Sequence, residues 1–64
     1  MVSEEPTRKL VKRLKEAGFT PVRTVGSHTT YVNGSIQVVV PDGHRTISPG
    51  VVRQVNKAIQ EAQK

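Results

Sequence analysis

The sequence predicts an α+β domain of order α-β-β-β-α, built in two layers with both helices on one face of a three-stranded antiparallel sheet. Three observations carry this prediction. One apolar stripe at helical spacing lies within residues 7–17, a second runs through residues 51–62, and residues 20–40 between them are rich in Thr, Val, Tyr and Ile and interrupted by glycine turns. Flanking helices bury their stripes together against one side of such a sheet and leave the other side open. The 64 residues suffice for one domain, assigned to residues 1–64, with no repeat, low-complexity tract or linker. A chain of this size buries only about 60% of its unfolded surface, so the core is thin.

Thr7 after Pro6 is expected to N-cap the first helix, where Leu10, Val11, Leu14 and Ala17 form the apolar stripe. Gly18 ends it. With Gly18 at C′, Phe19 becomes C″ and reaches back to Leu14, the contact that accompanies a Schellman cap. The outer faces carry Arg8, Lys9, Lys12, Arg13 and Lys15, five of the ten basic residues, opposed within the helix by Glu16. A solvated face is the plain reading of such a run, and an anion-binding surface is the functional one.

Asn33-Gly34 predicts a type I′ hairpin turn, which sets Val32 opposite Ser35, Tyr31 opposite Ile36, Thr29 opposite Val38 and His28 opposite Val39. Opposed residues share a face. Thr29, Tyr31, Ile36, Val38 and Val40 therefore make the core face, and His28, Thr30, Val32, Ser35, Gln37 and Val39 the open face. Gly26-Ser27 has type II′ chemistry, so Val25 opposes His28, Arg23 opposes Thr30 on the open face, and Val22 joins the core beside Tyr31. Pro21 cannot donate to a ladder, which makes its strand an edge or delays the strand's start.

Residues 41–47 read as a loop with turn chemistry in Asp42-Gly43. Ser48 as N-cap and Pro49 at N1 open the last helix, whose stripe is Val51, Val52, Val55, Ala58, Ile59 and Ala62. Gly50 weakens its first turn slightly.

Ten Lys and Arg against five Asp and Glu give a net charge of +5 and a pI near 10.3. A polyanion, most commonly nucleic acid, is the partner this charge fits, although a well-solvated basic surface needs no partner. One Phe, one Tyr and no Trp leave almost no platform for stacking bases. The absence of Cys excludes disulfides and thiolate metal sites, and no cluster of carboxylates with histidines suggests another metal site. No cofactor is expected. Met1-Val2 followed by Glu4, Glu5 and Pro6 does not read as a secretory signal, and no apolar run approaches the roughly 20 residues of a membrane span. The expected location is the cytoplasm, without membrane attachment.

Gly18-Phe19, Arg23, Gly26-Ser27-His28 with Tyr31, a Val-rich strand ending in Val40-Pro41, and a helix opened by Pro49-Gly50-Val51 together resemble the HicA family of bacterial and phage toxins. The resemblance covers residues 7–59, and its most specific piece is Gly-Phe, three residues, Arg, two residues, Gly-Ser-His. It implies a double-stranded-RNA-binding-domain-like fold and an mRNA endonuclease, ribosome-associated or free, that a HicB antitoxin inhibits. The family's catalytic histidine corresponds to His28. A histidine commonly stands two residues after the proline in that family, whereas His44 stands three after Pro41, so no role is carried over to it.

The chemistry of these residue types is compatible with that implication. RNA is cleaved by its own 2′-hydroxyl when a base takes that proton and an acid protonates the leaving oxygen, and histidine can serve in either role. The preferred reading is a metal-independent endoribonuclease with His28 as general acid or base. Arg23 is a phosphate clamp, Lys9, Lys12 and Arg13 form the RNA-binding surface on the first helix, and Ser27 and Thr30 are further RNA-binding residues beside His28. The alternative is a non-catalytic RNA-binding module of the same fold. A lone surface histidine is by default a bystander, and the family pattern is what raises His28 above that default.

Overall fold

In the computed structural model, which describes residues 4–63, the sheet is built from three strands: β2 (Thr20–Val25), β3 (His28–Asn33) and β4 (Ile36–Val40). They are antiparallel, with β3 in the centre. Helix α1 (Thr7–Glu16) precedes them and α2 (Pro49–Ala62) follows. Leu10 and Leu14 of α1, Val52, Val55 and Ala58 of α2, and Tyr31, Val38 and Val40 of the sheet share one core with Phe19 and Ile47. The expected order and the two-layer arrangement are those of the molecule. The expectations resting on Met1, Val2 and Lys64, including the outermost bounds of the domain, lie outside the described residues.

The end of α1 is the Schellman cap that the sequence predicts. Gly18 has φ +93°, its N–H donates to the Lys15 carbonyl at 3.1 Å, and Phe19 N–H donates to the Leu14 carbonyl at 3.0 Å. Phe19 is thereby turned into the core beside Leu14. Asn33 Nδ2 closes the same helix end by donating to the Ala17 carbonyl at 3.0 Å.

Four local expectations are corrected. Thr7 is the first residue of α1 and not its cap: the cap position is Pro6, without a side-chain bond, and the Thr7 hydroxyl instead donates to the His44 carbonyl. The β3–β4 loop is Gly34-Ser35 and not Asn33-Gly34, so Asn33 faces Ile36, Val32 faces Gln37, Tyr31 faces Val38, Thr30 faces Val39 and Thr29 faces Val40. His28 accordingly does not oppose Val39. A type I′ turn requires positive φ at both central residues, yet only glycines have positive φ among the described residues, with Gly34 at +63°. Asn33, held extended while its amide caps α1, leaves the turn to Gly34-Ser35, the same dipeptide that turns the first hairpin. The slip is two residues, which leaves both faces unchanged.

Val22 is the fourth correction. The β2–β3 ladder pairs Val25 with His28 and Arg23 with Thr30 as expected, then shifts between Pro21 and Arg23, so that Pro21 and not Val22 lies opposite Tyr31. Val22 is the extra residue of this bulge and is 60% exposed. Pro21 does mark an edge, since β2 has a neighbour on one side alone. Ser48 and Pro49 stand at the N-cap and N1 of α2 as predicted, without a side-chain cap bond from Ser48.

Two short strands were not legible: β1 (Glu5–Pro6) pairs antiparallel with β5 (Thr46–Ile47). This ribbon places Ile47 in the core and ties the start of α1 to the segment before α2. No helix among the described residues is long and apolar enough to cross a membrane.

Candidate functional site

His28 opens β3 immediately after the Gly26-Ser27 turn and is exposed. Gly26 takes φ +60°, the first position of a II′-type turn, which lets Val25 and His28 pair without splaying the strands. Strand alternation puts His28 and Thr30 on the face away from the helices, because Thr29 and Tyr31 between and beyond them are buried on the other. Arg23 lies directly opposite Thr30 on that open face and is exposed. His28 and Arg23 are diagonal neighbours across the ladder, a relation that separates Cα atoms by roughly 7–8 Å and is within reach of long side chains. Ser27 Oγ lies 3.5 Å from His28 Nδ1, at the outer limit of hydrogen bonding, so the imidazole is only loosely steered.

His28, Ser27, Thr30 and Arg23 thus come together, whereas Lys9, Lys12 and Arg13 stand on α1, in the other layer. Lys9 and Lys12 are exposed. Arg13 is half-buried and forms a bidentate pair with Glu5, Nε to Oε2 and Nη2 to Oε1 both at 2.9 Å. Its charge is already matched.

The connection between the two layers is residues 41–45, and Asp42 organises it. Asp42 Oδ1 accepts from the Thr29 hydroxyl at 2.8 Å and Oδ2 from the Tyr31 hydroxyl at 3.0 Å. Thr24 Oγ1 lies 3.0 Å from Thr29 Oγ1, and because the Thr29 proton is committed to Asp42, Thr24 is the donor. One chain of hydroxyls therefore runs from β2 through β3 into the loop. Burial first, then the hydrogen bond to Asp42 and the negative charge of that carboxylate, push the Tyr31 phenol up to about 12.

Gly43 N–H donates to the Ser27 carbonyl at 3.0 Å, bracing the turn beside His28. The approach requires glycine, since a Cβ there would lie 2.5 Å from Ser27 Cβ. His44 and Arg45 follow on the exposed rim, where the Arg45 carbonyl accepts Thr7 N–H at 2.9 Å. Sequence reading singled out Asp42-Gly43 only as turn formers. The signal for more was present in a core-face Thr29 and Tyr31 whose hydroxyls needed a partner. Among the described residues no three His, Asp or Glu side chains converge as metal ligands would.

A comparison with protein families matches residues 7–63 to the family described as HicA toxin of bacterial toxin-antitoxin systems. No curated protein and no solved structure is matched.

Proposed function

The chain belongs to the HicA family of toxins from bacterial toxin–antitoxin systems, and on that premise we propose that it is an endoribonuclease acting on mRNA, with His28 as its general acid or base and a HicB-type antitoxin as its inhibitor. The observation that carries the reading is the position of His28. It heads a braced hairpin on the open face, exposed and beside Arg23, and no packing or hydrogen-bonding need of the fold accounts for an imidazole there.

In the proposed reaction the 2′-hydroxyl attacks the adjacent phosphorus in line. Its proton leaves to a base, the bond to the 5′ oxygen breaks, and that oxygen gains a proton, giving a 2′,3′-cyclic phosphate and a free 5′-hydroxyl. His28 supplies one of these two proton transfers and water the other. Arg23 offsets the charge that gathers on the phosphoryl oxygens. Thr30, on the same face, is a hydrogen-bonding group for the backbone or sugar, and Ser27 orients the turn. The site uses no metal in this scheme, so cleavage continues in EDTA.

The test is cleavage of a defined RNA by the wild type and by His28→Ala. General acid–base assistance is worth about 10²–10⁴-fold, and a loss of that size is expected. An RNA carrying a 2′-deoxy sugar at the scissile position should remain intact. Equal cleavage by the two proteins, or equal growth arrest on expression, would remove His28 from the reaction. Binding of RNA by both with cleavage by neither would identify a non-catalytic binding module.

A further inference from the structure

A groove lies between residues 41–45 and the first turn of α1, lined by Pro6, Thr7, Arg8, Asp42, His44 and Arg45. Its walls are fixed by two hydrogen bonds from Thr7, its N–H to the Arg45 carbonyl at 2.9 Å and its hydroxyl to the His44 carbonyl. Arg8 and Arg45 are therefore set on facing sides of one opening and both are exposed. Among the described residues neither guanidinium is paired with a carboxylate, whereas Arg13 is held by Glu5. Asp42, the acid in the lining, has each oxygen engaged by a hydroxyl, of Thr29 or of Tyr31. Glu and Asp are absent from the first turn of α1, which leaves the positive end of the helix uncompensated by any side chain of that turn.

The loop that forms this groove is the loop that touches the catalytic turn. Gly43 donates to Ser27, the residue before His28, and His44 and Arg45 follow directly. The loop thus links the turn that carries His28 to Arg8 on α1, with Lys9 and Lys12 further along that helix. Without the groove, Arg23 on the sheet and Lys9 and Lys12 on α1 stand in separate layers.

Resting on the ribonuclease reading above, we propose that this groove binds backbone phosphate of the RNA strand whose scissile bond lies at His28. Arg8 and Arg45 are its phosphate ligands, and the exposed imidazole of His44 is a further donor. Guanidinium groups suit the role because they present paired donors to phosphate oxygens at fixed geometry. The strand then leaves the open face of the sheet at the hairpin turn and continues along α1, a path that involves both layers in one substrate.

The experiment measures binding of a single-stranded RNA oligonucleotide across a salt series, with His28→Ala present throughout so that nothing is cleaved. If each guanidinium neutralises one phosphate, adding Arg8→Ala and Arg45→Ala lowers the slope of log affinity against log salt by about 1.4, since each contact on a single strand contributes roughly 0.7. Affinity at 0.1 M salt then falls about 25-fold, taking the proteins to converge at 1 M. Arg53→Ala with Lys57→Ala removes the same charge from exposed positions on α2 and should leave the slope unchanged. An unchanged slope in the Arg8, Arg45 variant overturns the proposal, and so does an equal loss in both pairs, which would reduce it to net charge. Cleavage by the wild type is scored on the same oligonucleotide. If RNA is bound but not cut, the ribonuclease reading fails while the groove is judged by its slopes; if RNA is cut and the slopes do not move, the groove fails alone.

Discussion

His28 provides a side chain, but Asp42 and Gly43 determine where its turn stands. Asp42→Ala leaves the Tyr31 hydroxyl without its acceptor and the buried Thr29 with Thr24 alone, and an unsatisfied buried hydroxyl costs about 1–3 kcal/mol. Asp42→Asn keeps one carbonyl acceptor, so thermal unfolding should rank the wild type above Asp42→Asn and Asp42→Ala lowest. Gly43→Ala separates position from stability. Its new methyl meets Ser27 at 2.5 Å, so the loop and the turn must move apart at the surface. The expected result is a fall in kcat for RNA cleavage with little change in KM, at a temperature where the variant is folded. Wild-type kcat in folded Gly43→Ala would show that the brace does not position His28.

At the scale of elements, α1 carries charges of two kinds. Lys9 and Lys12 are exposed, while Arg13 is clamped to Glu5 of β1. Neutralising Lys9 and Lys12 should therefore flatten the salt dependence of RNA binding more than Arg13→Ala does. A larger effect from Arg13 would mean that RNA displaces Glu5. The β3–β4 hairpin offers a second prediction. Gly34 has φ +63°, a backbone region L-residues rarely adopt and that costs them about 1–3 kcal/mol, so Gly34→Ala should lower the denaturant midpoint without changing which residues face the core. Amide exchange in β3 and β4 would check it, since a change of register would alter which backbone N–H groups are paired across the ladder.

At the scale of the molecule, the small core makes one buried phenol important to stability at high pH. Both folded and unfolded chains keep the tyrosine proton below pH 10, the unfolded chain loses it above that, and the folded one holds it until about 12. Stability is thus fully present below pH 10 and declines as pH rises toward 12, by about 3 kcal/mol for a displacement from 10.0 to about 12. Urea midpoints from pH 9 to 12 should fall more steeply in the wild type than in Tyr31→Phe; parallel slopes would assign the alkaline loss to lysines instead. The fold was legible in the chain wherever the signal is local and periodic. The helix stripes, the Schellman cap at Gly18, the Gly26-Ser27 turn and the alternation that exposes His28 all depend on neighbours within a few residues. Where two local signals competed, as at Asn33-Gly34 and Gly34-Ser35, the choice fell to a distant partner, the Ala17 carbonyl, which draws the Asn33 amide away from the turn. The bulge that exposes Val22, the β1–β5 ribbon and the pairing of Arg13 with Glu5 likewise depend on contacts between segments far apart in sequence. The two layers and the face on which His28 stands follow from the order of residues alone, because side-chain period and turn chemistry are properties of short segments. The brace behind the His28 turn and the groove beside α1 are tertiary, because Asp42 meets Thr29 and Tyr31, Gly43 meets Ser27, and Arg45 comes to line one groove with Arg8, only after the chain has folded back on itself.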